Sequence, residues 1–336
     1  MHTETKMKCE KALVLGGDGL LGSHLVRELF RRGYSVRVYI QPNRKTPTLQ
    51  DVSVERVEGD LSDDGRNLLD AVEGCKYVFH CAAVTDLWAD PKLVWNVNYE
   101  GTRKVLDACV ETGIRRLVMV GSASTYQFGP MHAPGDERGA FPKEYRGIPY
   151  MESKRRAIEL VKEYVEQKAL DAVVVAPTFM LGDLDAGPSS GELIRQFIKR
   201  GLRVTSRGGR NFAYAPDVAA AMVSAIDKGK RGECYIAGGR NLSYLDFFRE
   251  VARIAGVKPP ICAVPNSAVL ASGAIGSVGG RITGKRVSLN LRMAKLSVLE
   301  TYYRADKAID ELAMPQTPIE TGIEHSIRSL KSFGHI

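Results

Sequence analysis

The 336-residue sequence has no C-x-x-C pair, no apolar run of membrane-spanning length and no basic run interleaved with aromatic residues. Its six cysteines follow no paired spacing, which predicts free thiols in a reducing cytoplasm rather than a disulfide framework. The six histidines lack metal-ligand spacing, so we expect no metal site. The polar N-terminus lacks the apolar core of a signal peptide, which also predicts a cytoplasmic location.

The net charge of the chain excludes fewer kinds of partner than these absences do. The chain carries 47 lysines and arginines against 39 acids, a net charge of +8. Such a surplus suits nucleic acid, an acidic lipid surface or an anionic ligand. Because the cations are dispersed over predicted helix faces, we expect a basic surface with an anionic cofactor site and no nucleic-acid partner.

One stretch, Ala263–Gly280, comes closest to a membrane span, but Pro265, Asn266, three serines and several glycines interrupt it. We therefore expect no integral membrane segment. The stretch is expected to pack within a smaller lobe. A helix at a substrate mouth, or in peripheral contact with a membrane, is the alternative.

The chain is organised around Lys11–Arg32, where an apolar run, a glycine-rich turn and a helical pattern follow one another. The glycines are spaced Gly16-x-x-Gly19-x-x-Gly22. Glycine lets the backbone approach a pyrophosphate, and the helix start offers free N–H groups to it. The expected cofactor-binding residues here are Gly16, Asp18, Gly19, Leu20, Leu21 and Gly22.

The second strand, Ser35–Gln41, bears on which dinucleotide binds. An acid at the end of this strand would bind the adenosine ribose hydroxyls of NAD. Here Gln41 ends the strand, and Arg44 and Lys45 follow. These cations favour the 2′-phosphate of NADP(H), whereas Asp18 in the glycine turn favours NAD. We predict NADP, with NAD as the open alternative.

Further strands are predicted over Val52–Val57, Lys76–Ala83, Arg116–Gly121 and Asp171–Ala176, with helices between them. This alternation predicts an α/β fold with a Rossmann-type, doubly wound parallel sheet. His80 is expected to be a packed strand-end residue. At the carboxyl ends of these strands, the further residues expected to border the cofactor are Asp60, Leu61, Cys81, Ala82, Ala83, Pro177 and Thr178.

The pattern changes beyond Pro177, where helices alternate with short strand-like pieces. We predict a dinucleotide-binding domain of residues 9–176 plus about 211–237. Residues 177–210 plus 238–330 are predicted to form a smaller C-terminal substrate-binding lobe.

Tyr150 and Lys154 are four residues apart, so on a helix their side chains share one face. A free phenol, with a pKa of about 10, carries protons poorly at neutral pH. We expect the nearby ammonium to lower the pKa of Tyr150. Ser122, after the fifth strand, is expected to hold a substrate oxygen against that phenol.

Taken in order, these motifs resemble the extended short-chain dehydrogenase/reductase superfamily over about Lys11 to Leu330. The likeness is nearest to its dihydroflavonol-reductase-like branch and to hopanoid-associated sugar epimerases. It implies a bound nicotinamide cofactor, a homodimer and the catalytic set Ser122, Tyr150 and Lys154. It also implies a supporting proton-relay or helix-ordering role for Asn98. The matching stretches are GGDGLLG (16–22), GDL (59–61), HCAA (80–83), NYEGT (98–102), GSAS (121–124), YMESK (150–154), APTFMLG (176–182), RNFAYAPDVA (210–219) and RADKAIDEL (304–312).

Two enzyme functions fit a small-molecule substrate. The first is reduction of a carbonyl, or oxidation of a secondary alcohol, on a fairly apolar molecule. The second is nucleotide-sugar epimerisation or dehydration, supported by Arg210, which stands where sugar-nucleotide members bind diphosphate. A non-catalytic regulator ranks last because the catalytic set is intact. The expected substrate-side residues are Asp86, Trp88, Ser124, Phe179, Met180 and Arg210, with Leu181 beside them at the mouth.

Overall fold

The computed structural model describes residues 10–63, 65, 67–283 and 289–336. The polar N-terminus, with His2 and Cys9, lies outside the described residues, and so do the residues on which the predictions about the N-terminus depend. The strands are β1 (Lys11–Leu15), β2 (Ser35–Ile40), β3 (Glu55–Glu58), β4 (Tyr77–His80), β5 (Arg116–Val120), β6 (Ala172–Pro177), β7 (Phe179–Leu181), β8 (Val204–Thr205), β9 (Gly209–Tyr214), β10 (Cys234–Ala237), β11 (Arg240–Ser243), β12 (Cys262–Ala263) and β13 (Glu300–Thr301).

Helices alternate with the strands of the main sheet, as the sequence predicts. One π-helical turn, Asn96–Glu100, lies between the helices Pro91–Trp95 and Gly101–Thr112. The helices are α1 (Leu20–Arg31), α2 (Leu68–Val72), α3 (Pro91–Trp95), α4 (Gly101–Thr112), α5 (Pro149–Gln167), α6 (Gly191–Arg200), α7 (Ala215–Lys228), α8 (Tyr244–Ala255), α9 (Asn266–Thr283), α10 (Leu291–Ser297), α11 (Asp306–Leu312) and α12 (Ile319–Ser332).

Seven parallel strands form the main sheet in the order β10-β6-β5-β4-β1-β2-β3. Strand order reverses beside β1, which places the carboxyl ends of β1 and β4 at the crevice where ligands bind in such sheets. The central strands are short apolar runs buried on both faces. The predicted doubly wound parallel sheet is therefore confirmed.

Two strands are shorter than the sequence predicts. β3 begins at Glu55, where its pairing with Arg37 starts, although Val52 and Val54 already pack against the core. β4 ends at His80 because the chain then turns toward the glycine loop. A Cβ on Gly16 would lie 2.8 Å from the Ala82 backbone.

Helices cover both faces of the sheet. On one face, α1 and α7 pack together over Val14, Val38 and Val175. On the other, α2, α4 and α5 pack over Leu13 and Met119. The apolar stripes of these helices thus form the two core layers that hold the sheet in place.

A second sheet, with β9 between β11 and β13 and β7 alongside it, is covered by α6, α8 and α12. Phe212 of β9 stacks on Phe247 of α8 at 4.0 Å between ring centroids. The buried Asn211 amide accepts a 2.7 Å hydrogen bond from Thr178, directly after β6, and donates to Gly239. This amide therefore ties the second sheet to the end of the main one.

No helix among the described residues is both long and apolar enough to cross a membrane.

Candidate active site

The glycine loop between β1 and α1 turns tightly because glycine occupies the positions that lie against other backbone. Gly16 has a φ of +76°, which favours glycine, and it lies against Ala82. A Cβ on Gly22 would lie 2.1 Å from the Gly16 carbonyl oxygen. The first turn of α1 holds no acidic residue, so its N–H groups and dipole face the loop unopposed.

A series of polar contacts links the residues that follow β2 and β3 at the carboxyl edge of the main sheet. The half-exposed Arg44 guanidinium pairs with the Asp18 carboxylate and donates a 3.0 Å hydrogen bond to Gln41. Gln41 in turn donates a 2.9 Å bond to Asp60. The cation expected to meet a 2′-phosphate is therefore held by an acid of the glycine loop, while Lys45 is exposed beside it.

The structure brings Ser122, Tyr150 and Lys154 together. Ser122 lies two residues after the end of β5. Its hydroxyl hydrogen-bonds the Tyr150 phenol and lies 2.7 Å from the Ser124 hydroxyl. Tyr150 and Lys154 lie in the first two turns of α5. The Lys154 ammonium donates a 2.9 Å hydrogen bond to the carbonyl of Val120, which anchors α5 to the end of β5.

Burial sets the pKa values of this group. Removal from water raises the pKa of Tyr150, against the opposing effect of its hydrogen bond with Ser122. Burial also lowers the pKa of Lys154 to about 8. The expected lowering of the Tyr150 pKa is not found. The Lys154 ammonium is bonded to the Val120 carbonyl, and desolvation of the phenol outweighs its hydrogen bond with Ser122.

Asn98 lies in the π-helical turn, a helix irregularity that is frequent at functional sites. Its amide accepts a 2.8 Å bond from the Val84 N–H and donates to the Val84 carbonyl at 3.0 Å. It also donates a 3.1 Å bond to Ser153, next to Lys154. Asn98 thus joins the loop after β4 to α5, which fits the helix-ordering part of its expected role.

His80 and Cys81, at the end of β4, lie close to Lys154. His80 is buried, its Nε2 lies 3.0 Å from the Thr102 hydroxyl, and burial lowers its pKa to about 3. It is therefore a neutral, packed residue, as predicted. Burial likewise raises the pKa of the Cys81 thiol to about 12, which makes it a small apolar group beside the expected cofactor.

The remaining expected cofactor residues lie along the same strand ends. Ala82 meets Gly16, Leu61 is buried, and Thr178 uses its hydroxyl to bond Asn211. Nothing in these contacts conflicts with a dinucleotide bound across the edge.

On the substrate side, the Arg210 guanidinium lies between two aromatic rings. Its carbon is 4.7 Å from the Phe179 ring centroid and 5.7 Å from that of Tyr244. Nε donates a 2.9 Å hydrogen bond to the Tyr244 hydroxyl. Among the described residues no carboxylate forms an ion pair with Arg210.

Further aromatic residues lie near Arg210 or bond the loop that follows Ser122, and the sequence does not predict them. Tyr145 lies near Arg210 and packs on Phe128 at 5.5 Å, five residues before Tyr150. The Tyr303 hydroxyl donates a 3.2 Å bond to the Tyr126 carbonyl, in the loop after Ser122. Because these residues come from a loop, a helix start and a bridge far apart in the chain, no spacing marks them.

Three residues expected on the substrate side have other contacts in the structure, and one of them is misplaced. Leu181 is fully buried in the core beneath the second sheet, so its predicted place at the mouth is wrong. Met180 packs partly on the core of the main sheet. Asp86 accepts a 2.9 Å bond from the Trp88 N–H in the exposed loop after β4, which closes a local turn.

Comparison with known proteins agrees with this geometry. The NAD dependent epimerase/dehydratase family matches residues 12–238. A dihydroflavonol 4-reductase-like protein of Synechocystis sp. is 30% identical over 329 residues, which are 96% of this chain and 95% of that protein. Sterol demethylase protein B of Methylococcus capsulatus is 32% identical over 256 residues, 75% of this chain and 77% of that protein.

Among solved structures, that of gox2253 superposes with a TM-score of 0.86 at 29% identity, over 97% of this chain and 99% of that chain. The match extends through the second sheet and the C-terminal helices as well as the main sheet. These findings confirm the family resemblance seen in the sequence motifs.

Proposed function

The chain belongs to the NAD-dependent epimerase/dehydratase family, and from this we propose that it is an NAD(P)-dependent reductase or dehydrogenase of a fairly apolar small molecule. The observation that carries the proposal is the group of three side chains at the end of β5 and the start of α5. Ser122 bonds the Tyr150 phenol, and Lys154 lies one helical turn away.

The residues present suit a dinucleotide. A Cβ on Gly16 or Gly22 would collide with neighbouring backbone, so the tight turn that leads into α1 requires glycine at both positions. The free N–H groups at the start of α1 would hold the pyrophosphate. Asp60 and Leu61 would border the adenine, and Cys81, Ala82 and Ala83 would lie along the nicotinamide half. When bound, the nicotinamide supplies or takes up the hydride.

The protein's own residues handle the proton. In the reductive direction, the protonated Tyr150 phenol gives its proton to the substrate oxygen, and in the oxidative direction the phenolate takes it. Loss of hydration raises the pKa of the Tyr150 phenol, which keeps it protonated at neutral pH. Ser122 would orient the substrate oxygen. Lys154 would hold the nicotinamide ribose and stabilise the phenolate that forms.

For the cofactor we propose NADP(H), because Arg44 and Lys45 follow β2 where an NAD enzyme would carry an acid. The ion pair between Asp18 and Arg44 opposes this choice and supports NAD. For the guanidinium to reach a 2′-phosphate, that pair must open. Competitive binding of NADPH and NADH to the purified protein distinguishes the two.

The aromatic residues around Arg210, among them Phe179 and Tyr145, support an apolar substrate. Such a substrate would lie between the second sheet and Tyr150. The relatives agree, since one is dihydroflavonol reductase-like and another is a sterol demethylase protein. Trp88 in the exposed loop after β4 and Ser124 next to Ser122 would complete the mouth.

Arg210 also favours a second candidate, a nucleotide-sugar epimerase or dehydratase that recycles its own cofactor. A guanidinium with no carboxylate in an ion pair among the described residues suits a diphosphate. Arg210→Met separates the candidates. An epimerase would lose substrate affinity by at least roughly tenfold, whereas reduction of an uncharged ketone would change little.

The deciding experiment is to denature freshly purified protein and assay the extract for nicotinamide cofactor. An empty site that binds added NADPH or NADH reversibly, followed by oxidation of the reduced cofactor by apolar ketones, supports the reductase. Near-stoichiometric release together with interconversion of nucleotide sugars overturns it in favour of the epimerase.

We further propose a cytoplasmic homodimer that pairs α4 and α5 across a two-fold axis. The division into residues 9–176 plus about 211–237 and 177–210 plus 238–330 is proposed as well. A monomeric mass in light scattering would contradict the dimer.

A further inference from the structure

The sequence from Val251 to Leu299 has an unusual charge balance. It holds no aspartate or glutamate, although the chain as a whole has 39 acids, and it contains no phenylalanine, tyrosine or tryptophan. The cations of this segment are Arg253, Lys258, Arg281, Lys285, Arg286, Arg292 and Lys295.

Within this segment, α9 presents an apolar face to solvent. Ile275 is 74% exposed and Val278 is 56% exposed, the highest and third highest values among the exposed large apolar side chains described. At helical spacing, Ala268, Ala271 and Ser272 are exposed on the same side. We call these five residues the α9 face.

The opposite side of α9 packs on α10 through small residues. Gly273 lies against Ala294 and the Asn290 carbonyl, and the Ser277 hydroxyl accepts a 2.8 Å bond from the Leu291 N–H. The α9 face is therefore turned away from the helix that supports α9. Exposed cations stand on the same two helices, on α9 at Arg281 and on α10 at Arg292 and Lys295.

We propose that the α9 face binds the surface of a membrane that contains anionic lipids. Two large apolar side chains on a helix too polar to cross the bilayer suit a position in the plane of the interface. The surrounding cations, unopposed by any acid within the segment, complement anionic headgroups.

Other occupants fit these observations less well. A nucleic acid would leave Ile275 and Val278 exposed and would find no aromatic side chain in the segment on which to stack a base. A second copy of this chain, joined face to face, would bring two acid-free basic segments together. An anionic bilayer uses both the apolar side chains and the cations.

The test uses the full chain and sedimentation with vesicles of phosphatidylcholine alone or mixed with phosphatidylglycerol. Binding is expected to the mixed vesicles only, and it should weaken as salt rises because the headgroup attraction is screened. Binding to both kinds of vesicle equally, or to neither, would overturn the proposal.

Two double variants locate the surface. We expect Ile275→Ser with Val278→Ser to weaken binding at least roughly tenfold. Arg292→Ala with Lys295→Ala should weaken it roughly fivefold for each charge removed. The matched control is Leu69→Ser, which alters an exposed leucine on α2. This change should leave vesicle binding as it is in the unaltered chain.

Cofactor affinity and thermal midpoint, measured on each variant, show that it is folded. If the Ile275/Val278 variant is folded and binds the mixed vesicles as well as the unaltered chain, the proposal is wrong. It is also wrong if this variant converts a dimer to a monomer in light scattering while vesicle binding persists.

Discussion

The Lys154 ammonium donates a 2.9 Å hydrogen bond to the main-chain carbonyl of Val120, the last residue of β5. This contact replaces part of the hydration that the ammonium loses on burial, yet burial still lowers the pKa of Lys154 to about 8. The lysine therefore anchors α5 to the sheet, and its pKa lies closer to neutral pH than that of an exposed lysine.

The pH dependence of stability should report this lysine. The folded pKa of about 8 lies below the unfolded value, so the unfolded chain binds more protons between the two. The free energy of unfolding contributed by Lys154 should therefore rise from about pH 8 to about pH 10.4, by up to about 3 kcal/mol. Urea unfolding of the Lys154→Met variant should lack this rise.

The matched control is Lys162→Met, an exposed lysine two turns further along α5, which should keep the rise. Equal pH profiles for Lys154→Met and the unaltered protein would contradict the assignment. In cofactor titrations, Lys154→Met should also weaken binding and turnover together.

Tyr150→Phe should remove the proton donor while it leaves the shape of the site nearly unchanged. We expect turnover to fall about 10²–10⁴-fold, with cofactor affinity within about a factor of two. Steady-state kinetics and fluorescence titration measure the two quantities. Tyr164→Phe, on the same helix but bonded to Asp107, is the control and should retain its activity. Substantial activity in Tyr150→Phe would refute its role.

Asn98→Ala should act through position rather than chemistry. The substitution leaves the Val84 N–H and carbonyl and the Ser153 hydroxyl without their partner. We expect a loss of about 1–3 kcal/mol in the free energy of unfolding and a lower kcat. The pKa seen in the pH–rate profile should stay unchanged, because Tyr150 remains the titrating group. A shifted profile would assign Asn98 to the proton path instead.

Much of the site is predictable because its parts are local in sequence. The glycine loop, the strand ends at Ser122 and Ala82, and the Tyr150–Lys154 pair each occupy a place that one strand or helix defines. Parallel strands deliver their carboxyl ends to a single edge, so these parts meet there. A residue that stands at the end of a strand or the start of a helix can therefore be recognised from the sequence alone.

The aromatic surroundings of Arg210 and the direction of the Tyr150 pKa are not predictable in this way. Tyr145, Tyr244 and Tyr303 meet only because β9 pairs with strands distant in the chain. Several of those strands have two to four residues, too few for a periodic signal. Desolvation likewise depends on packing from every side, which spacing along one helix does not report.

Gly22→Ala tests the dinucleotide cradle. The added methyl group would meet the Gly16 carbonyl oxygen at 2.1 Å, so the loop or α1 must shift. We expect cofactor affinity to fall at least roughly tenfold, measured by calorimetric titration. Gly187→Ala, where an added Cβ meets nothing within 4 Å, is the control and should bind normally. Unchanged affinity in Gly22→Ala would place the pyrophosphate elsewhere.

Asp18→Asn tests what the Asp18–Arg44 ion pair does to cofactor choice. The change frees the guanidinium and removes a negative charge from the side of the glycine loop where the adenosine ribose would lie. The ratio of NADPH to NADH affinity should therefore rise roughly tenfold, about 1.4 kcal/mol. Arg44→Ala should move the ratio in the opposite direction, because the same guanidinium is lost.

Asp51→Asn is the control, since Asp51 pairs with Arg27 on the same side of the sheet but outside the glycine loop. Its ratio should match that of the unaltered protein, which separates a local effect from a change in net charge. A ratio unmoved in both Asp18→Asn and Arg44→Ala would mean that the 2′-position of the ribose does not reach this pair. Lys45 would then be the cation left to test.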